Sequence, residues 1–430
     1  MGGHLNRRYE EVVSVDVIVD RCAALDVHKN TVMACVRKPG PSGRSRVKEV
    51  REFRTWTSSL RDLRDWLAAQ EVTQVAMEAT GSYWKPVWHV LVELDGVELM
   101  LCNAHHVKNL PGRKTDVADA LWLAQLLECG LLRGSFVPPP EIAQLRDLTR
   151  YRTKLVQDRA RETQRIQKLL EDANIKLDSV VSDVLGKAAR RMLDALMAGE
   201  RDVEVMADMA LTRMRPKIAE LRLALEGRFD GHHALMLGMH LSHIDHLTGG
   251  IDEINEEVDR RLVPFVEQAR RLRTIPGIGT RTAEVVIAEI GVDMSRFPTA
   301  AHLASWAGLC PGNHESAGKR RSGKARKGNA ALRSALCEAA WCAARTKDTY
   351  LSAQFRRFCR RFGKRGEGKA IFALAHTMIV IIWHVLNDGV DYQELGGDYF
   401  ERRTDNEAHA RRLVRQLEKL GHRVTLEPAA

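Results

Sequence analysis

The chain lacks closely spaced cysteines. Its eight cysteines, Cys22, Cys35, Cys102, Cys129, Cys310, Cys337, Cys342 and Cys359, are scattered over 430 residues and none forms a C-x-x-C pair. Zinc-ribbon and thioredoxin-type sites therefore lose their main support, and small structural staples are not needed in a chain of this size. A long apolar run is missing too. The most apolar stretch, Ile371 to Leu386, holds about sixteen residues and includes His376 and His384, whereas a membrane span needs about 20. It is read as a buried helix, and no membrane partner is expected. The opening residues, MGGHLNRRYEEVV, contain no apolar signal core, so export is not expected and the thiols are expected to stay reduced. Proline is nearly absent between Glu141 and Arg270, and no acid occurs between Lys319 and Arg333.

What is present is an ordinary globular composition, 44% hydrophobic and 28% charged, with a net charge of +10. The basic surplus points to a polyanionic partner, nucleic acid first. At roughly 150 residues per domain, the length suggests two or three domains.

Three textures divide the chain. In residues 15–138, the runs Cys22–Val27, Thr31–Val36, Arg51–Trp56, Thr73–Ala79 and Val97–Cys102 read as strands, and Ser59–Gln70, Ser82–Leu94 and Asp116–Cys129 as helices. Three adjacent strands followed by alternating elements give a mixed α/β sheet with helices on it. Residues 141–270 are helical and charged, with Ile142, Leu145, Leu148, Leu155, Ile166, Leu169 and Leu170 at helical spacing. Arg146, Arg150, Arg152, Lys154, Arg159, Arg161, Arg165 and Lys168 lie on the opposite face. Two readings are open for this region: a solvated arm, or a paired-helix, coiled-coil-like arm that dimerises and touches phosphates. Residues 271–390 are Gly-punctuated, basic and read as mainly α, and residues 391–430 form a polar tail.

Four acids stand out in the first block. Asp26 ends the first strand (LDVHK), Glu78 ends the fourth (MEATG), and Asp116 and Asp119 open a helix (KTDVADA). Strand ends commonly host sites, and the i, i+3 spacing puts the last two on one helical face. Hard carboxylate oxygens suit Mg²⁺ or Mn²⁺, a pair of which can clamp a phosphodiester in line. Each acid also has a plain reading: Asp116 or Thr115 as a helix cap, Glu78 as a surface turn residue.

In the last block, TIPGIGTRTAEVVIAEIG (Thr274–Gly291) reads as a helix-hairpin-helix. Its Gly277 and Gly279 would turn backbone N–H groups toward a phosphate; a tight inter-helix turn is the alternative. Downstream, Lys319, Arg320, Arg321, Lys324, Arg326, Lys327 and Arg333 form a basic run interleaved with Gly and Ser, either a phosphate-contacting segment or a solvated surface. Gly312 to Lys319 only superficially resembles a phosphate-binding P-loop, because five residues separate its glycines and Arg320 stands where Ser or Thr is required. His243 and His246, in HLSHIDH, lack partner ligands for a metal. Arg356, Arg357, Arg360, Arg361, Lys364 and Arg365 form a second basic cluster that is read as meeting nucleic acid, with a solvated face as the alternative.

LDVHK, MEATG and KTDVADA, in this order and spacing, resemble the DEDD motif of a RuvC-like, RNase H-fold domain. Their wording is similar to that of the insertion-sequence transposases related to pilin-gene invertases (the Piv/MooV type). That family's C-terminal domain has GL-x-P followed by Ser, a small residue and Gly. Here these are Gly308-Leu309-Cys310-Pro311 and Ser316-Ala317-Gly318, which matches Ser316 to the family's nucleophile; Ser322 fits the spacing less well, and Glu315 departs from the pattern. The resemblance implies a DNA transposase or recombinase of a prokaryotic insertion sequence, cytoplasmic and nucleoid-associated. Asp26, Glu78, Asp116 and Asp119 would bind Mg²⁺ or Mn²⁺, and Ser316 would form a covalent link to DNA. The implied partners are donor and target double-stranded DNA, a structured guide RNA and further copies of the chain in a dimer or tetramer. The competing reading is a metal-dependent nuclease or junction resolvase without a covalent intermediate; a third is a nucleic-acid-binding protein with no activity.

Overall fold

The computed structural model describes residues 17–41, 45–79, 81–102, 116–312, 314–316, 318–323, 325, 327–363, 365–403 and 406–426. The chain divides into two compact units, Met1–Val137 and Pro138–Ala430.

The first unit carries β1 (Cys22–Val27), β2 (Thr31–Pro39), β3 (Arg46–Arg54), α1 (Thr57–Ala69), β4 (Gln74–Glu78), α2 (Trp84–Leu91), β5 (Glu98–Cys102) and α3 (Asp116–Glu128). The sheet order is β3-β2-β1-β4-β5; β1, β2 and β3 are antiparallel neighbours, and β4 and β5 run parallel to β1. Strand β1 is almost wholly small and apolar because it is central and covered on both faces. Ala23, Leu25 and Val27 pack with Val75 and Met77 against Leu60, Leu63 and Leu67 of α1 and Val87 and Leu91 of α2. Cys22 and Ala24 point the other way and join Ala76, Cys102 and the α3 residues Ala120, Leu123, Ala124 and Leu127. Small side chains on that second face let α3 lie close to the sheet. The period-2 alternation of strand side chains produces this division. The edge strand β3, RVKEVREFR, starts at Arg46 rather than Arg51. Its charged residues conceal it from the alternation expected of a strand, and charges on an edge also discourage pairing with another chain.

Burial on the α3 face pushes the thiols of Cys22 and Cys102 up to about 12, and Cys35 to about 11. They remain neutral packing groups.

At its last residue α3 is latched to the sheet. The side chain of Glu128 is 5% exposed and lies between two guanidinium groups. Arg37 of β2 donates from Nε to Oε2 at 2.8 Å, and Arg46 of β3 from Nε to Oε1 at 2.5 Å.

The second unit is mostly helical. Helix α4 (Pro140–Asp172) has 33 residues and α5 (Gly231–Leu262) has 32. Proline at the first position suits the start of α4; Asp230 caps α5 by accepting from the backbone N–H groups of His232 and His233. Their apolar stripes are turned inward, Ile142, Leu145, Leu155, Ile166 and Leu170 on α4, and Leu237, Leu241, Ile244, Leu247, Ile251, Ile254 and Val258 on α5. Short helices between residues 177 and 225 complete a core through Met192, Leu193, Leu221 and Leu225.

The rest of the unit holds α6 (Thr280–Ile290), α7 (Ala330–Arg345), α8 (Tyr350–Phe362) and α9 (Glu367–Asp388). Helix α9 has 22 residues, so the sixteen-residue apolar run understated its length; it is long and apolar enough to cross a membrane by those two criteria alone. Its Ala370, Leu374, Met378, Ile379 and Ile382 are buried, and the Trp383 indole donates to the Phe297 carbonyl at 2.8 Å. These contacts are those of a core helix, as the sequence reading expected. A two-stranded antiparallel hairpin, β6 (His314–Ser316) and β7 (Lys319–Ser322), interrupts the helices. The block is mainly α as read from the sequence, and this short hairpin is the exception, because HES and KRRS carry no apolar alternation to announce a strand.

Removing Glu128 would take the shared carboxylate from two mostly buried arginines, of which Arg46 keeps its contacts with Asp20. Glu128→Ala should destabilise the first unit by about 3 kcal/mol, the usual cost of breaking such a pair, read as an earlier urea midpoint; an unchanged midpoint would mean that the latch is incidental.

Candidate functional site

Asp26 and Glu78 come together. The parallel register of β1 and β4 pairs Cys22 with Gln74 and Leu25 with Met77, so Asp26 and Glu78 are the next positions along two adjacent strands. Both are even-numbered in strands whose even positions face α3, the face lined by Ala24 and Ala76. Asp26 is 14% exposed at its side chain, and its Oδ2 lies 3.2 Å from Nε2 of His28. Glu78 lies close enough to Cys102 to help raise that thiol. Asp116 is the first residue of α3 and Asp119, which is exposed, lies in the same turn. Ala120, Leu123 and Leu127 of this helix rest on the sheet face that carries Asp26 and Glu78. The side chain of Asp116 lies outside the described residues. Among the described residues, no three His, Cys, Asp or Glu groups converge as a metal cluster. The donor chemistry of the set, all carboxylate oxygen, fits a hard divalent cation.

Ser316 belongs to the second unit. It ends β6 and pairs across the hairpin with Lys319, while Glu315 pairs with Arg320 and His314 with Ser322, with a β-bulge between His314 and Glu315. Gly318, at φ +73° with open space around it, makes the tight return. Lys319 and Lys327 are exposed. Arg320 and Arg321 occupy β7, and their side chains lie outside the described residues, as do Lys324 and Arg326 altogether.

The two glycines of the PGIG turn differ. Gly277 has φ +89°, and a Cβ there would collide with the Ala339 carbonyl and the Ala343 backbone, so it is needed for packing against α7. Gly279 is the N-cap of α6, with φ −88° and nothing near a Cβ. Only Gly279 leaves a helix N-terminus open to a phosphate.

Part of the basic face assigned to α4 is turned into the protein. Arg152 is 7% exposed and donates to Glu284 at 2.5 Å; Arg150 spans Glu289 with donations at 2.7 and 2.8 Å; Arg146 donates to the carbonyls of Ala288 and Glu289. These three arginines meet buried acids of α6; for Arg146 and Arg152, 14% and 7% exposed, this corrects the reading as solvated or phosphate-contacting groups, whereas Arg150 remains half exposed. Sequence reasoning missed Glu284 and Glu289 as structural partners. Their signal was present: two acids inside an otherwise Ala, Val and Ile-rich helix.

The histidines also pair differently from expectation. Glu162, 5% exposed, accepts from Nδ1 of His240 at 2.9 Å and lies 3.4 Å from Nδ1 of His243. Burial raises its pKa, but the His240 hydrogen bond and the Arg165 charge outweigh it and hold the carboxyl below its ordinary value. On α8, Arg356, Arg357, Arg360 and Arg361 are exposed, and Arg357 also stacks over Phe400 at 4.8 Å; Lys364 lies outside the described residues. The tail therefore folds back onto that helix in part, with Phe400 also stacked on Tyr350.

Comparison with known proteins gives two family matches. Residues 23–175 match a transposase model of the DEDD, IS110 type, and residues 269–368 match the transposase IS116/IS110/IS902 family. The "Insertion element IS110 uncharacterized 43.6 kDa protein" of Streptomyces coelicolor is 30% identical over 126 residues, 28% of this chain and 29% of that relative. The "Pilin gene-inverting protein" of Moraxella bovis is 38% identical over 76 residues, 18% of this chain and 21% of the relative. Its namesake in Moraxella lacunata is 51% identical over 49 residues, 11% and 15%. The chain thus spans less than a third of the length of these curated relatives.

The glycine geometry is directly testable. Gly277→Ala should cost about 3 kcal/mol or more through strain and collision. Gly279→Ala should cost roughly 1 kcal/mol or less while weakening DNA binding if its N–H groups meet phosphate. Thermal melts and DNA titrations on the two variants separate the roles, and equal stabilities would refute the packing argument.

Proposed function

Starting from a chain that carries both domains of the IS110-family transposases, we propose that the protein is a DNA transposase or recombinase that cuts and rejoins strands through Ser316. The observation that carries this reading is the placement of Asp26 and Glu78 at adjacent ends of two parallel strands, on the sheet face covered by α3. An antiparallel three-strand meander continued by two parallel strands supports the RuvC-like, RNase H-type fold for this unit. The exposed Gly279 turn between Val266–Leu272 and α6 supports a helix-hairpin-helix.

Asp26, Glu78, Asp116 and Asp119 are the groups that would hold Mg²⁺ or Mn²⁺. A bound divalent ion there supplies charge neutralisation at a phosphodiester and polarises its oxygens. The chain's own nucleophile is the Ser316 hydroxyl. Its Oγ forms a bond to phosphorus while the bond to a deoxyribose oxygen breaks; the serine proton passes to a base and the departing sugar oxygen takes one up. One phosphate ester replaces another, so bond energy is kept and the reverse attack by a second strand's hydroxyl rejoins DNA without ATP. Lys319 adjoins the serine across the hairpin, and Arg320, Arg321, Lys324, Arg326 and Lys327 extend the cationic segment that would hold phosphates. The acids and Ser316 belong to different units, so catalysis requires that they meet within one chain or between copies in a dimer or tetramer. A structured guide RNA is the further partner implied by the family resemblance, and the net charge of +10 is compatible with it.

The test is covalent capture of labelled DNA on a denaturing gel, with the modified peptide mapped. Wild type should give an adduct at Ser316, and Ser316→Ala and Asp26→Ala should give none, with DNA binding retained. Cut strands without an adduct would favour a water-using metal nuclease, and an adduct at Ser322 or a tyrosine would remove Ser316 from its role.

Neutralising Lys319, Arg320 and Arg321 together should lower DNA affinity without changing sequence preference. The log–log salt slope should shrink by roughly one per lost phosphate contact; an unchanged slope would leave the run as a solvated surface.

A further inference from the structure

Glu289 joins three parts of the second unit. Its side chain is fully buried near the end of α6. From α4, Arg150 donates Nε to Oε1 at 2.7 Å and Nη2 to Oε2 at 2.8 Å. Arg146 reaches the Glu289 backbone carbonyl at 2.8 Å, with its Nε 3.4 Å from Oε2. Burial pulls the Arg146 pKa down and Glu289 opposes that shift. The third donor is Asn329, whose Nδ2 reaches Oε2 at 2.5 Å.

Asn329 is where the segment bearing Ser316 returns to the body of the unit. Its Oδ1 accepts from the Leu332 N–H at 3.0 Å and caps α7. The preceding residue, Gly328, passes so close to Gly308 that a Cβ at 328 would overlap the Gly308 backbone. The chain leaves the core after Leu309, forms β6 and β7, and is closed again at Gly328 and Asn329. The Glu289–Asn329 hydrogen bond fixes that closing point, and the two arginines fix Glu289 relative to α4.

We infer that Glu289 is a positioning residue for the Ser316 hairpin, acting through Asn329 and held by Arg150 and Arg146. The inference rests on the reading of this hairpin as the reacting segment. Through Asn329 the carboxylate sets where the hairpin's base sits. A displacement of about 1 Å at a reacting group costs about a hundredfold in rate, so loss of this hydrogen bond should slow chemistry far more than it weakens DNA binding.

The test exploits the polarity of the bond. Asn329→Asp keeps an oxygen to cap α7 but sets two carboxylates against each other. Glu289→Gln with Asn329→Asp exchanges donor and acceptor in this bond with the net charge unchanged, while giving up the donation from Arg150 to the same atom. The rate of covalent capture at saturating DNA should fall about ten- to a hundredfold in Asn329→Asp and in Glu289→Gln. DNA Kd should change by less than about threefold, and the double variant should be faster than Asn329→Asp alone. Arg150→Met, at a side chain that is 48% exposed, supplies a milder variant if either single change fails to fold, with the same rate-selective loss expected. Leu374→Ala, in the core of α9 and making none of these hydrogen bonds, should lower the melting temperature with a far smaller effect on capture by the folded protein. Single variants that capture DNA at the wild-type rate, or a double variant whose melting temperature recovers while its rate does not, would overturn the inference. Capture that survives Ser316→Ala in parallel would instead overturn the reading of the hairpin.

Discussion

A carboxylate taken out of water must be met by cations and hydrogen-bond donors, and both units are organised around that requirement. In the first unit Glu128 is enclosed by Arg37 and Arg46, which ties the end of α3 to two strands. In the second, Glu284 and Glu289 are met by Arg152, Arg281, Arg146 and Arg150. Such pairs contribute little net stability compared with apolar packing, but breaking one leaves a charge stranded, so they enforce a particular arrangement. In each unit the element so fixed is one that carries candidate chemistry. Helix α3 bears Asp116 and Asp119 and packs on the sheet face that carries Asp26 and Glu78, and α6 lies beside the closing point of the segment that bears Ser316.

The same requirement divides the basic residues into two populations. Arginines 37, 46, 146 and 152 are largely buried against acids and are withdrawn from any polyanionic partner. Lys319, Lys327, Arg356, Arg360 and Arg361 are exposed. A count of positive charge alone therefore overstates the surface offered to DNA, and its position matters more than its sum.

The sequence disclosed the sheet well, because central strands covered on both faces must be small and apolar over their whole length: Cys22–Val27 was legible to the residue. The edge strand β3 was half hidden, since an edge needs only one apolar row and can carry Arg, Lys and Glu on the other. The β6–β7 hairpin was not legible as structure, as its strands are three and four residues long and polar; what could be read there was composition and the family-like spacing of Ser316. Asp26 and Glu78 could be nominated from strand ends, but their shared face follows from the register of β1 with β4. The partners of Arg146, Arg150 and Arg152 lie more than a hundred residues away in sequence, and helical periodicity cannot tell a solvated arginine from one that crosses to a buried acid.

The central claim is that strands are exchanged through a phosphoserine, and the stereochemical course at phosphorus tests it most directly. Each in-line displacement inverts the centre. A DNA substrate with a single chiral phosphorothioate at the cleavage site, carried through complete recombination, should emerge with its configuration retained, since attack by Ser316 and attack by the second strand invert it twice. Net inversion would mean a single direct transfer between strands and would contradict the serine intermediate.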